Sequence, residues 1–328
     1  NGLNQVARHH VTQAIHTTGD RLESIRLGVV KRDHALSAGD WDTGFGAWVQ
    51  LFGSDLTQLR RNEVEGYDAH TFGFTLGLDK EFAQDFWLGL GLSYAYSNID
   101  SRQFKLSNVD LQSYQAFLYS SWRLTQGWYW DLFGSMTYHD YNTVRFISAP
   151  AVGALSGLSY RAEGGLSAFE SAFWTESGYE LIYKLWMLTP FVNYQFGHLN
   201  MHSLQEQKAG PYNLNIRYKD TDASILGGGL RLGLIMEMDD QVVLMPQLKA
   251  EVRHDFINDD LQSTANFAGG GPNFVTRGLK PAPTSYLFGF GAKLADQDAW
   301  SIQLQYDYEM KPAFHAHHGW LKFRVDWL

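Results

Sequence analysis

Several short stretches of this chain carry residue types that could do chemistry. His139-Asp140 and His254-Asp255 each set an imidazole beside a carboxylate, the partnership a hydrolase uses to activate water or a hydroxyl. Adjacent side chains of an extended strand point to opposite faces, so neither pair acts as a dyad if its segment is a strand. His315-Ala316-His317-His318 has the composition of a metal-binding tract but falls where a surface connection is expected. Gly227-Gly228-Gly229 and Gly269-Gly270-Gly271 are not phosphate loops, since neither precedes Lys-Ser/Thr and a helix. No serine stands out with a histidine and an amide partner. The expectation is therefore no catalytic residue, no metal ligand set and no cofactor.

The 328 residues include no cysteine, which excludes disulfides and thiolate metal sites and suits passage through an oxidising periplasm. A net charge of -9, with acids and bases scattered and no basic stripe, argues against nucleic-acid binding. Hydrophobic residues make up 45% of the chain, yet mean hydropathy is -0.28. Apolar and polar residues must then be interleaved. No run approaches the roughly 20 apolar residues of a spanning helix, and the first 16 residues lack the apolar stretch of a signal peptide.

Interleaving of period two is the mark of strands with unlike faces. Trp300, Ile302, Leu304, Tyr306, Tyr308 and Met310 share one face; Ser301, Gln303, Gln305, Asp307 and Glu309 share the other. Val242, Leu244, Leu248, Ala250 and Val252 alternate with Gln247, Lys249, Glu251, Arg253 and Asp255. Leu321, Phe323, Val325 and Trp327 alternate with Lys322, Arg324 and Asp326. A soluble sandwich also alternates, but its strands average about 5 to 6 residues. These are longer, and a tilted strand needs about 9 to 11 residues to cross a bilayer.

The same rhythm predicts strands near 43-54, 67-80, 86-97, 110-123, 128-141, 172-184, 187-199, 223-237, 242-256, 284-295, 299-310 and 318-327. Short connections such as Glu81 to Asp85 and Leu185 to Trp186 alternate with long ones: Ser101 to Val109, Asn142 to Ser171, Asn200 to Asp222 and Ile257 to Pro283. Short periplasmic turns opposite long outer loops are what a membrane barrel requires. Trp41, Trp87, Trp122, Trp128, Trp130, Trp186, Trp300 and Trp327 fall beside the short turns, where indoles favour the membrane boundary. The expected fold is an all-β membrane protein, a twelve-stranded antiparallel up-and-down transmembrane β-barrel.

Residues Leu3 to Leu27 do not alternate. Val11, Ile15, Leu22 and Ile25 form an interrupted helical stripe backed by polar residues. Gly19, and Asp20 followed by Glu23 as a capping box, predict a break near Thr18 to Asp20. A helix about 10 to 12 Å across fits a barrel of this size, so this α-helix is expected inside the pore. The chain divides into a pore-spanning helix (1-28), a periplasmic connection (29-40) and the barrel (41-328). Arg231, Lys249, Glu251, Arg253, Asp255, Asp307, Glu309, Lys322, Arg324 and Asp326 are expected to line the pore. Arg8, Arg21 and Arg26 would face lumenal carboxylates such as Glu251, Asp255, Asp307 or Glu309, the pairing being left open. Gly227 to Gly229, within a strand, would leave lumenal room for the helix.

The residues that carry the resemblance run along nearly the whole chain. Asp20-Arg21-Leu22-Glu23-Ser24-Ile25-Arg26-Leu27-Gly28 resembles the linker helix of the autotransporter β-domain, the translocator of type V secretion. Gly66-Tyr67, Thr71-Phe72-Gly73-Phe74-Thr75-Leu76-Gly77-Leu78-Asp79 and Ser113-Tyr114 to Leu118-Tyr119 are similar to family strands. So are Thr189-Pro190-Phe191-Val192, Leu244-Met245-Pro246-Gln247-Leu248 and the closing His317-His318-Gly319-Trp320-Leu321-Lys322-Phe323-Arg324.

The resemblance implies a monomer in the outer membrane of a Gram-negative bacterium, embedded in lipid and lipopolysaccharide. It would export an N-terminal passenger and meet periplasmic chaperones and the outer-membrane assembly machinery. That machinery reads a terminal aromatic signal, here Phe323, Val325 and Trp327. Self-cleaving relatives carry paired asparagines in the helix, whereas Asn1 and Asn4 are unpaired, so no enzymatic activity is expected. A stand-alone porin and a barrel-embedded hydrolase are the alternatives.

Overall fold

The computed structural model describes residues 2–32, 45–102, 107–125, 127–149, 158–238, 242–259, 262–296 and 300–327; the side chains of 27–32, 149, 158, 326 and 327 lie outside that description. Among the described residues one helix, α1 (Leu3–Arg32), precedes twelve long strands. These are β1 (Phe45–Gln58), β2 (Tyr67–Ala83), β3 (Phe86–Ser101), β4 (Ser107–Thr125), β5 (Trp128–Ala149) and β6 (Leu158–Tyr179). The second half comprises β7 (Trp186–Met201), β8 (Thr221–Leu234), β9 (Val242–Asp255), β10 (Thr284–Asp296), β11 (Trp300–Lys311) and β12 (Phe314–Trp327).

Each strand pairs antiparallel with its sequence neighbour. The ring closes where β1 pairs with β12 from Phe45↔Trp327 to Gln58↔Phe314. Closure leaves no free edge, the condition for backbone in hydrocarbon, where an unpaired N–H or C=O would cost several kcal/mol.

Burial along the strands follows the alternation and fixes its sense. In β11, Ser301, Gln303, Gln305 and Asp307 are buried, while Leu304 is 61% exposed. Phe72, Phe74, Leu76 and Leu78 of β2 and Leu88, Leu90 and Leu92 of β3 continue the exposed apolar row. A continuous outer band of this kind far exceeds the few hundred Å² of apolar patch usual on soluble monomers. The long connections gather at one rim, together with the two-residue turn after Lys311, and short turns form the other, with Asp85, Gly127 and Lys184 at positive φ.

Four expectations are corrected. His315 to His318, expected in a surface connection, lie within β12 and pair with β1 and β11. The stretch from Asn142 to Ser171 is mostly strand: β5 and β6 run 22 residues each and pair as far as Ala149↔Leu158. Period two fades there because the hairpin rises beyond the bilayer and has no lipid-facing side. The helix does not break at Gly19, because its surroundings hold it: a Cβ there would touch the Trp174 ring at 3.5 Å. Trp87 faces the lumen rather than the membrane boundary, whereas Trp122, Trp128, Trp130 and Trp186 are exposed outside. Trp41 and the Trp327 side chain lie outside the described residues, as do 33–40 of the expected connection.

At the long-loop rim the connections after β7 and β9 build a second, four-stranded sheet from Leu204–Gln205, Leu214–Tyr218, Gln262–Phe267 and Phe274–Arg277. Its Leu204, Ile216 and Tyr218 pack on the cluster that holds the first helical turns. Burial, with Glu206 nearby, pushes the Tyr218 phenol up to about 12.

Candidate functional site: the helix in the lumen

The helix runs through the barrel from rim to rim. Leu3, Val6 and Ala7 pack with Tyr67, Ile99, Leu111, Tyr141 and Phe314 at the long-loop end. Val11, Ala14, Ile15, Leu22 and Ile25 pack with Trp48, Trp87, Phe117, Tyr119, Phe133 and Trp174 further down. These aromatics all come from β1 and β3 to β6, and the helix lies closest to β3, β4 and β5. Facing glycines make space for the rings: a Cβ at Gly89 or Gly91 would overlap Tyr119 or Phe117.

The same wall presents the carboxylates that hold the helix. Arg21 meets Asp79 with two N–H groups, Nε to Oδ2 at 2.7 Å, and Tyr119 donates to the same oxygen at 2.9 Å. Arg26 donates through Nη1 to Asp131 at 2.7 Å and through Nε to Glu180 at 2.8 Å, and its guanidinium stacks 3.6 Å from the Tyr129 ring centre. Arg123 also donates to the Arg26 carbonyl. Charge-assisted, two-pronged contacts of this kind are strong, and both arginines are fully buried. Asp79, Asp131 and Glu180 are not the carboxylates nominated from sequence. Asp131 was visible as an inward-phase acid between Trp130 and Leu132, but its partner across the lumen was not.

The nominated charged residues line the opposite wall and mostly satisfy one another. Glu251 accepts from Arg253 at 2.8 and 2.9 Å and lies 3.3 Å from Lys249. Arg231 donates to both oxygens of Glu176 at 2.8 and 3.0 Å and sits over Phe191. Toward the helix this wall offers single hydrogen bonds: Lys322 donates to the Thr17 carbonyl at 2.8 Å, Gln247 to Glu23 at 2.6 Å, and Arg253 to His16. Asp307 lies 3.8 Å from His16.

Asp255 binds the backbone N–H groups of Ser224, Ile257 and Asn258 at the mouth. Glu309 lines a cavity there. Arg324 shares the inward phase of β12, opposite Trp48. Phe323 and Val325 face outward, and the Asp326 side chain lies outside the described residues. The room beside Gly227 is taken by Asn193 and Glu251, not by the helix.

Cross-strand pairing also assembles a polar chain that the sequence concealed. His10 contacts the hydroxyls of Ser97 and Ser113, both at 2.7 Å; Ser113 contacts His139 Nδ1 at 2.8 Å, and His139 Nε2 contacts Glu170 at 3.1 Å. His139 thus works with residues on β4 and β6, not with its neighbour Asp140. The set carries the residue types of a hydrolytic triad, but Ser113 is sealed beneath the helix.

A closed, lipid-facing, twelve-stranded barrel occupied by its own N-terminal helix defines an outer-membrane barrel with a built-in plug. The family model "Autotransporter beta-domain" matches residues 47–307. The chain belongs to that family and is an outer-membrane protein of the Gram-negative type. It is 26% identical over 334 residues to outer membrane protein A of Rickettsia conorii, covering 98% of this chain and 16% of that protein. It is 28% identical over 167 residues to an extracellular serine protease of Serratia marcescens, covering 49% of this chain and 15% of that one. The chain therefore spans about a sixth of these relatives.

Among solved structures, the translocator domain of autotransporter NalP from Neisseria meningitidis shares the fold with a TM-score of 0.69 at 16% identity, over 98% of this chain and 97% of that one. The β-domain of the Bordetella autotransporter BrkA gives 0.56 at 15% identity, over 86% and 99%.

Proposed function

We propose that this chain is the translocator end of a longer protein, anchoring it in the outer membrane and bringing its N-terminal passenger to the cell surface. The observation that carries this is the direction of the helix. Its lower half is fixed toward the short-turn rim by Arg26 with Ser121, Asp131 and Glu180. Its first turn lies among Tyr67, Ile99 and Leu111 at the long-loop rim. Polypeptide upstream of residue 1 then emerges on the loop side, and the helix is the last part of the passage left in the pore.

On this proposal the barrel is no enzyme. The Ser113, His139 and Glu170 set serves to satisfy buried polar groups around His10. The exposed apolar band meets lipid, and the outward Phe323 and Val325 at the end of β12 meet the assembly machinery after delivery by periplasmic chaperones. The self-contained ring and its filled lumen favour a monomer over a porin.

A folded reporter placed directly upstream of Asn1 tests the reading. It is expected to be removed by protease added to intact cells while the barrel survives. A reporter protected until the outer membrane is opened would overturn the proposed direction.

A further inference from the structure

Two contacts between the upper half of the helix and the wall of β9, β11 and β12 depend on an imidazole lone pair. His9 Nε2 and His318 Nδ1 of β12 lie 3.0 Å apart, both side chains buried, with ring centroids 4.3 Å apart. One nitrogen must donate and the other accept, so the contact fails once both carry a proton. His16 Nε2 faces a guanidinium nitrogen of Arg253 on β9. Arginine only donates, so this imidazole nitrogen must accept through its lone pair. A proton there sets two donors against each other.

The wall of β3 to β6 is built differently. His10 binds the hydroxyls of Ser97 and Ser113, and His139 joins Ser113 to Glu170. A hydroxyl donates or accepts as required, and a carboxylate accepts from an imidazolium, so added protons leave these contacts intact. Arg21 and Arg26 hold the lower half by contacts in which no imidazole takes part. Charges face the two lone-pair contacts from every side. On the helix they are Arg8, His10 and Asp20, and on β11 Asp307, Glu309 and Lys311. On β9 they are Lys249, Glu251, Arg253 and Asp255, with Glu170 on β6 and Lys322 and the outward His317 on β12. The cations oppose added positive charge against the helix. Asp307 pairs with His318 across the register of β11 and β12 and lies 3.8 Å from His16 Nδ1, so a carboxylate stands beside either ring once it is protonated.

We propose that His9, His16 and His318 form a proton-operated latch, which seats the upper half of the helix on the wall of β9, β11 and β12 at neutral pH and releases it in mild acid. On release the rings of His16 and His318 turn to the carboxylates of β11, while Arg21 and Arg26 keep the lower half in place. The plug loosens without being expelled. The sign follows from proton counts: the seated helix needs its acceptor nitrogens unprotonated, whereas a released imidazole titrates at about 6.5 and takes up a proton below that. Release is thus favoured as pH falls, by up to about thirty-fold per histidine between pH 7.5 and 5.0. The latch is independent of the direction of export, because it requires only the seated helix.

The test uses the full chain folded in detergent. The sequence has no cysteine, so Thr12→Cys, at a half-buried position beside the mouth cavity, carries a single nitroxide label on the upper half. Its spectrum is expected to be immobilised at pH 7.5 and to gain a mobile component at pH 5.0, reversibly, while the barrel keeps its folded electrophoretic mobility. His16→Gln combined with His318→Gln supplies amide oxygens that accept without titrating, and should abolish the acid response. Single-channel conductance should rise in acid for the full chain and not for the chain lacking Asn1 to Leu27. An unchanged spectrum at pH 5.0, an equal response in the double variant, or an equal acid rise in conductance without the helix would each overturn the latch. Loss of the folded barrel over the same pH range would do so too. If the double variant refolds poorly, His318→Gln decides alone, and must lower the ratio of mobile to immobilised label at pH 5.0 about tenfold.

Discussion

The two walls of the lumen hold the same helix by different physics. Strands β1 to β6 supply large rings, Trp48, Phe117, Tyr119, Phe133 and Trp174, with isolated acids set between them and aimed at Arg21 and Arg26. Strands β7 to β12 supply the denser charges, yet Lys249, Glu251 and Arg253 are spent on one another, and of the three Arg253 alone hydrogen-bonds the helix among the described residues, at His16. Few charges in an apolar setting anchor more firmly than many charges in a polar one. On the dry wall Arg21 relies on Asp79 and Arg26 on Asp131 and Glu180, and removing either arginine strands buried carboxylates.

The largest expected effect follows from that asymmetry. Arg26→Ala leaves Asp131 and Glu180 buried without a counter-ion and should cost about 3 to 5 kcal/mol, read as a lowered unfolding midpoint. Lys249→Gln on the opposite wall should cost far less, because Arg253 still serves Glu251. Equal losses would erase the distinction between the walls.

The outer surface gives the next effect. Leu304→Lys places a charge in the middle of the lipid-facing row and should cost roughly 2 to 4 kcal/mol, whereas Gln303→Lys, facing the lumen, should be much milder. Comparable effects on refolding into lipid would reverse the sense of the strands. Smallest is Ser113→Ala, which removes a hydroxyl shared by His10 and His139. About 1 to 2 kcal/mol is expected for stranding buried donors, and no change in any hydrolytic assay.

The barrel was legible wherever lipid faced water across a strand. Trp300 to Met310 and Val242 to Asp255 show it, because a two-sided solvent writes period two directly into the chain. Above the bilayer that contrast disappears, which is why the upper parts of β5 and β6 read as loop. Gly19 signalled a break because local propensity outweighs everything else in a lone sequence. In the folded protein Gly19 is buried in the lumen and Trp174 packs against it.

The inward phase of Glu251, Arg253 and Asp307 was equally plain, but which acid meets which arginine was not. Asp79 and Arg21 are 58 residues apart, and Arg26 and Glu180 are 154 apart. Their meeting depends on barrel closure and on the depth of the helix, neither of which a local pattern encodes. The Ser113, His139 and Glu170 contacts were hidden for the same reason, since each comes from a different strand.

The measurement closest to the central claim is single-channel conductance in a planar bilayer, comparing the full chain with one lacking Asn1 to Leu27. A helix seated on the dry wall and filling the lumen requires a small conductance in the full chain and one several-fold larger after deletion. Indistinguishable conductances would place the helix outside the pore and contradict the account.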